Sequence, residues 1–314
     1  MTDHSTSFFV PVIKTGNPDS YTFSVLIPTY NNLEHLHLLL KSIRLNSTYN
    51  HQVIIIVNEG IDGTAEWVKG VADVDAVLCK VNTGICFALN FARSLVKTEY
   101  IVYLNDDMYL MPEWDRVFLE EIKKIGHNYF FLSGTMIEPK DTGNTCVIVG
   151  DYGDSVSSFR EDALLKSNTA LVKNDWLGAT WPPNILHRDL WDLAGGYSIE
   201  FSPGMYSDPD LSMKLWLAGV RVFKGLGHSR VYHFGSKTTG RVKVNDGAYL
   251  FFLKWGITSG AFTSKILQRG TEIGSRPVNQ PAYRPGALKN FIKKFQAFMK
   301  FQGGYFNEFF NRFK

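Results

Sequence analysis

Between residues 23 and 125, short apolar runs alternate with segments whose apolar positions recur every three or four residues. The runs 23–27, 52–57, 76–80 and 100–104 are rich in β-branched and aromatic side chains, which predicts buried strands. Leu36, Leu39, Leu40 and Ile43 give 33–45 a helical spacing. Ala65, Val68 and Val71 do the same for the next segment, where Asp62 or Thr64 is positioned to cap. A third helix is predicted over 84–96 and a fourth over 113–125, opened by Pro112. Pro28 is expected to stop the first strand. Strands separated by helices of this length make repeated βαβ units, so the predicted class is α/β with a mainly parallel mixed sheet flanked by helices.

Beyond residue 125 the pattern loosens. Strands are predicted at 130–137 and 146–149, with a polar loop over 150–168. Residues 176–183 concentrate aromatic and turn-forming side chains around Trp181, which suits an acceptor-facing loop or a plain packed turn. Asp208 stands at a cap position, Pro209 at a first helical position, and Leu211, Leu215 and Ala218 keep helical spacing up to Gly219. Two short strands, 221–223 and 231–234, follow. The resulting organisation is a leader or edge element over 1–22, an α/β domain over 23–240 and a helical extension over 241–314.

The strand ends change the picture from fold to chemistry. They read Thr29-Tyr30-Asn31-Asn32, Asn58-Glu59, Asn82-Thr83 and Asn105-Asp106-Asp107. Ligands of such sheets bind outside the carboxyl ends of the strands, and four polar ends on one edge suggest a site. Adjacent carboxylates ending a buried strand repel and resist desolvation, and a divalent cation carrying phosphate oxygens compensates them. An ordinary strand running into a polar turn is the plainer alternative. No Gly-x-Gly-x-x-Gly and no phosphate-binding Walker loop occurs, which argues against dinucleotide dehydrogenases and P-loop NTPases.

Composition narrows the rest. A hydrophobic content of 45% with 20% charged residues describes a folded chain. The net charge of +3 is too small to argue for nucleic acid. Cys79, Cys86 and Cys146 show no metal-ligand spacing and read as small buried hydrophobes in a reducing compartment. No apolar run approaches the roughly 18 residues of a membrane span, and the polar residues 1–7 lack a signal-peptide pattern. The expectation is a cytoplasmic protein, with a peripheral position at the inner face of the membrane also open. Leu288, Phe291, Ile292, Phe295, Phe298 and Met299 follow helical spacing among lysines within 286–314. That pattern fits an interfacial membrane helix or an amphipathic helix docked on protein.

The order of motifs resembles the inverting family 2 glycosyltransferases of the GT-A fold. Ser24-Val25-Leu26-Ile27-Pro28-Thr29-Tyr30-Asn31 is similar to the opening strand and its nucleobase loop. Val57-Asn58-Glu59-Gly60-Ile61-Asp62-Gly63-Thr64 resembles the segment Asp-Asp-Gly-Ser-x-Asp-Gly-Thr, and Asn82-Thr83-Gly84 with Ala88-Leu89-Asn90 resembles the Asn-x-Gly and Ala-x-Asn block. Asn105-Asp106-Asp107 falls at the Asp-x-Asp metal motif. Gly195-Gly196-Tyr197 followed by Ser207-Asp208-Pro209-Asp210-Leu211 resembles the block bearing the base, and Tyr232-His233-Phe234-Gly235-Ser236 the late His motif. Asn105, Ser207 and Asn58-Glu59 depart from the family pattern.

The resemblance implies inverting transfer of a sugar from a nucleotide diphosphate donor, a UDP-sugar foremost, to a hydroxyl of a glycan or lipid-linked acceptor. It implies Asp208 as the base and Asp107 with His233 as ligands of Mn2+ or Mg2+. Pro28, Thr29, Tyr30, Asn58, Glu59, Asn82, Gly84, Asn105 and Asp106 fall on the donor side. Trp181 and Asp210 fall on the acceptor side; Lys237 and Arg241, which follow His233, suit either a diphosphate contact or a solvated basic loop. A helix N-terminus at Asp208 is expected to keep its carboxylate ionised. A sugar nucleotidyltransferase would need a Gly- and Arg/Lys-rich loop after the first strand, which is absent. A non-catalytic sugar-, nucleotide- or partner-binding module on the same fold stays open, as does an oligomeric state.

Overall fold

In the computed structural model, residues 8–14, 16–235, 245–273 and 291–299 are described. The apolar runs become strands of one sheet: β1 (Phe9–Val12), β2 (Ser24–Tyr30), β3 (Gln52–Asn58), β4 (Asp75–Cys79), β5 (Tyr100–Tyr103), β6 (Met108–Leu110), β7 (Phe130–Glu138), β8 (Ile148–Val149), β9 (Trp176–Leu177), β10 (Asn184–His187) and β11 (Val222–His233). The spatial order is β1-β4-β3-β2-β5-β10-β7-β11-β6, with β8 beside β7 and β9 beside β11. Strands β4, β3, β2 and β5 are parallel, as the βαβ pattern predicts. β10 runs antiparallel to both its neighbours, and β7 and β11 are parallel again. The helices are α1 (Leu33–Asn46), α2 (Thr64–Gly70), α3 (Gly84–Ala92), α4 (Trp114–Ile125), α5 (Glu161–Ser167), α6 (Arg188–Ala194), α7 (Ser207–Leu217) and α8 (Gly247–Trp255).

Side chains alternate across a strand, so each central strand feeds two core layers. Val25, Ile27, Val53, Ile55 and Val57 face α1 and α4, meeting Leu36, Leu39, Leu40, Trp114 and Phe118. Leu26, Ile54 and Ile56 face the other way, toward Cys86, Ala88 and Leu89 of α3 and Leu211 and Leu215 of α7. All three cysteines are buried free thiols.

Several elements depart from the sequence reading, each for a local reason. Strand β2 runs through Pro28 to Tyr30. β5 pairs only with Ser24–Leu26, so beyond Leu26 one edge of β2 is open and a residue without an N–H is tolerated. The leader supplies an edge strand, β1, antiparallel to β4. Within the expected loop 150–168, α5 forms because its neighbours anchor it: Leu164 is buried, and Glu161 accepts hydrogen bonds from Tyr109 and Lys41. Of the predicted strand 146–149, only β8 is extended. The two late strands are one, β11, with a bulge between Leu226 and Arg230. A Cβ at Gly225 would lie 1.9 Å from the Trp176 ring. That glycine is a packing requirement.

Residues 247–267 pack onto the same core. Phe251, Phe252, Phe262 and Leu267 are buried, and all but Phe252 are members of the core layer formed by α3, α6 and α7. The helix over 291–299 turns Phe291, Ile292, Phe295, Phe298 and Met299 outward while Ala297 is buried. Among the described residues no helix is long and apolar enough to cross a membrane. Lys237, Arg241 and the remainder of 286–314 lie outside the described residues.

Candidate active site

The carboxyl ends of β2, β3 and β5 open onto a cavity of about 510 Å³. Twelve of the side chains or glycines expected at a site line it: Pro28, Thr29, Tyr30, Asn58, Asn82, Gly84, Asn105, Asp106, Asp107, Trp181, Asp208 and His233. Glu59 and Asp210 are not in its walls. Glu59, at φ 66, instead accepts a hydrogen bond from Asn31 Nδ2 at 3.0 Å, joining two strand-end loops.

The neutral polar residues shape the loops as well as the cavity. Asn58 Oδ1 accepts from both the backbone N and the Oγ1 of Thr83, at 3.0 and 2.9 Å. Asn82 Oδ1 accepts from the Gly84 N–H at 2.9 Å. Gly84 sits at φ +76, and a Cβ there would lie 2.4 Å from Ser202 Oγ and 2.6 Å from Pro203 Cα. Only glycine lets the loop 202–205 close against the start of α3, where Ile85 N–H donates to Pro203 C=O at 2.9 Å.

The acidic strand end meets the end of β11. β6 pairs antiparallel with β11, placing His233 opposite Met108 and so beside Asp107. His233 Nε2 lies 3.5 Å from Asp107 Oδ1, and its Nδ1 lies 3.0 Å from Glu138 Oε1 at the end of β7. Burial alone would lower the imidazole pKa; the two carboxylates outweigh it and raise it to about 10. Burial, then the neighbouring Asp107 charge, pushes the Asp106 carboxyl up to about 7. Its Oδ2 is buried and makes no hydrogen bond among the described residues.

These groups suit a divalent cation. Asp107 would supply a hard oxygen, and His233, on giving up the proton its two carboxylates hold, an imidazole whose other nitrogen is already oriented by Glu138, the usual outer-shell arrangement of a metal-ligating histidine. No three His, Cys, Asp or Glu side chains among the described residues gather into a cage. An ion held here would complete its shell from diphosphate and water, as Mg2+ does in phosphate chemistry.

Asp208 lines the same cavity. It is the second residue of α7, not its cap: Tyr206 holds the cap position with φ 69 and offers no side-chain cap. The expected lowering of its pKa by the helix is overridden. Burial pushes the carboxyl up to about 7, offset in part by a hydrogen bond from Tyr197. Asp210 is fully buried in a polar cluster, accepting from Trp255 Nε1 at 2.8 Å and from Ser198 Oγ at 2.6 Å, with Lys254 Nζ at 2.9 Å. It ties α7 to α8 and does not face the cavity.

Several wall residues escaped the sequence reading. Tyr103, Met136, Pro182, Pro203 and Met205 line the cavity, and Glu138 stands behind His233. Pro182 falls in the aromatic, turn-rich segment 176–183 and Tyr103 in the strand before the acidic end; Ser202-Pro203-Gly204 is a turn signal that could have found Pro203.

The sequence model of glycosyl transferase family 2 matches residues 24–162. No curated protein matches the chain. Among solved structures, S. aureus TarS 1-349 in complex with UDP-GlcNAc is similar at 17% identity and TM-score 0.52, covering 74% of this chain and 64% of that one. GalNAc-T7 with UDP, GalNAc and Mn2+ is similar at 14% identity and TM-score 0.54, covering 90% of this chain and 57% of that one. The chain therefore spans less than two thirds of the length of either, and the likeness is one of fold.

Proposed function

We propose, from the match of residues 24–162 to the family 2 glycosyltransferase model and from the likeness of fold, that the chain carries out a metal-assisted, inverting transfer of a sugar from a nucleoside diphosphate donor to an acceptor hydroxyl. One observation carries this reading: Asp208 lines the same cavity as the strand end Asn105-Asp106-Asp107. Bound through Asp107 and His233, Mn2+ or Mg2+ supplies the Lewis acidity that offsets charge on a departing diphosphate. Asp208 takes the acceptor proton. The acceptor oxygen forms a bond to the anomeric carbon while the bond to the diphosphate oxygen breaks, its electrons leaving with the diphosphate. Attack from the face opposite the leaving group inverts the centre.

A UDP-sugar is the proposed donor, consistent with the UDP-GlcNAc bound by TarS and the UDP bound by GalNAc-T7. Pro28, Thr29, Tyr30, Asn58, Asn82 and Gly84 then border the nucleoside side, with Asn105 and Asp106 nearer the diphosphate. Trp181 and Met205 border the acceptor side. A thermal-shift series with UDP-, GDP- and dTDP-sugars, with and without Mn2+, tests this. Stabilisation by a UDP-sugar that needs Mn2+, together with slow UDP release to water, is expected. Binding without UDP release would support the binding-module reading instead.

The acceptor is proposed to be a glycan or lipid-linked sugar, reached at a membrane surface. The helix over 291–299 supports this, since its aromatic stripe is exposed and Lys293 and Lys294 lie beside it. Full-length protein is expected to sediment with vesicles containing phosphatidylglycerol, and F295D/F298D protein to stay in the supernatant. Equal partitioning of the two would remove the membrane from the proposal.

A further inference from the structure

Asp208 has one hydrogen-bonding side chain among the described residues, Tyr197, whose Oη donates to Asp208 Oδ1 at 3.2 Å. No basic side chain among them pairs with it. The other titratable groups near it are Tyr103 on β5, Cys86 on α3 and Asp210 on its own helix, with Asp106, Asp107 and His233 lining the same cavity. Burial raises the hydroxyl of Tyr103 well above its usual range and the Cys86 thiol to about 12, so neither is charged near neutrality. Asp210 is engaged by Ser198, Lys254 and Trp255.

Tyr197 is held unusually firmly. Asn90 on α3 grips its backbone twice, with Oδ1 accepting from Tyr197 N–H at 2.8 Å and Nδ2 donating to Tyr197 C=O at 2.7 Å. That grip requires Gly196, because a Cβ there, at φ +61, would lie 2.2 Å from Asn90 Oδ1. Lys214 on α7 donates to the Gly196 carbonyl. The ring is 1% exposed and meets Tyr103 and Trp191 edge-on, with centroids at 5.9 and 5.5 Å. Four elements, α3, α7, β5 and α6, thus fix a phenol whose hydroxyl points at one oxygen of the base.

We infer that Tyr197 is a positioning residue for the transfer: its clamped hydroxyl occupies Asp208 Oδ1, leaving Oδ2 to receive the acceptor proton, and stabilises the carboxylate form. The inference rests on the reading of Asp208 as base. Hydrogen bonding to the charged form of an acid favours that form. Removing the hydroxyl should therefore make Asp208 harder to ionise and move the acid limb of the pH–rate profile to higher pH.

The test uses the full chain with UDP-GlcNAc, Mn2+ and water as acceptor, following UDP release. Tyr197→Phe is expected to lower kcat by about ten- to a hundredfold, the worth of a hydrogen bond to a charged group. UDP affinity by calorimetry should be unchanged and the acid limb displaced upward. Incorporation of 3-fluorotyrosine at position 197 keeps the packing and strengthens the donor, so that limb should move downward. A limb fixed in both proteins, or a wild-type kcat in Tyr197→Phe, overturns the inference. Asp208→Asn run alongside separates the two ideas: turnover surviving in that variant overturns the base itself, whereas its loss with a silent Tyr197→Phe overturns only the role of Tyr197.

Discussion

Asp208→Asn is expected to lose most turnover, on the order of 10²- to 10⁴-fold in kcat as for a removed general base, while UDP affinity stays within about twofold of wild type. The asparagine keeps the shape of the side chain and can still accept from Tyr197, so packing at the start of α7 should survive. What it cannot do is take a proton. Wild-type activity should also fall as the pH drops through about 7, because burial raises the Asp208 carboxyl to that value and only the ionised form is a base. The sign follows from the group: an acid with a raised pKa loses its charge earlier on acidification. Initial rates of UDP release across pH 5.5–9, beside calorimetric UDP binding, read both effects. Turnover comparable to wild type in the asparagine variant would falsify the assignment of Asp208.

The α/β half of the fold was legible because its strands are buried on both faces and its helices show a three-to-four spacing, two signals that survive in any tertiary context. The cavity was partly legible for the same reason. Once β2, β3 and β5 are parallel neighbours, their polar ends must share an edge, and Pro28, Asn58 and Asn105 converge without further information. Pairings distant in sequence were not legible from local pattern; only the family resemblance put His233 with Asp107. His233 reaches Asp107 only through the antiparallel β6–β11 register, and Glu138 reaches His233 only because β7 lies beside β11. Asp210 shows the opposite error. A carboxylate two positions after the base invited a role in the site, yet its place on α7 turns it inward to Trp255 and Lys254, partners that no local pattern could supply.

The burial of Asp208 also corrects a local argument. Two residues into a helix, a carboxylate is favoured by the dipole by about 0.3–1 kcal/mol when exposed, but desolvation at a cavity wall is the larger effect and has the opposite sign. The outcome is a base poised near neutral pH, where both proton capture and the driving force for it are useful.

Asp107→Ala is expected to abolish the Mn2+-dependent part of the thermal shift given by a UDP-sugar. UDP affinity in Mn2+ should weaken by at least about tenfold, since loss of an outer-shell partner alone costs 10- to 100-fold. Asp106 is the weaker candidate as ligand. Its carboxyl is pushed up by burial and by the neighbouring Asp107 charge, whereas Asp107 lies against the imidazole that Glu138 orients. The Asp107 side chain can be removed without disturbing the backbone link that joins its loop to β11, because Phe234 N–H donates to the Asp107 carbonyl at 3.1 Å. The variant should therefore melt as a folded protein in the absence of ligand, and the lost shift can be read directly. Retention of the full Mn2+-dependent shift would move the cation elsewhere, leaving Asp107 as a wall residue and the diphosphate charge to be met by other groups.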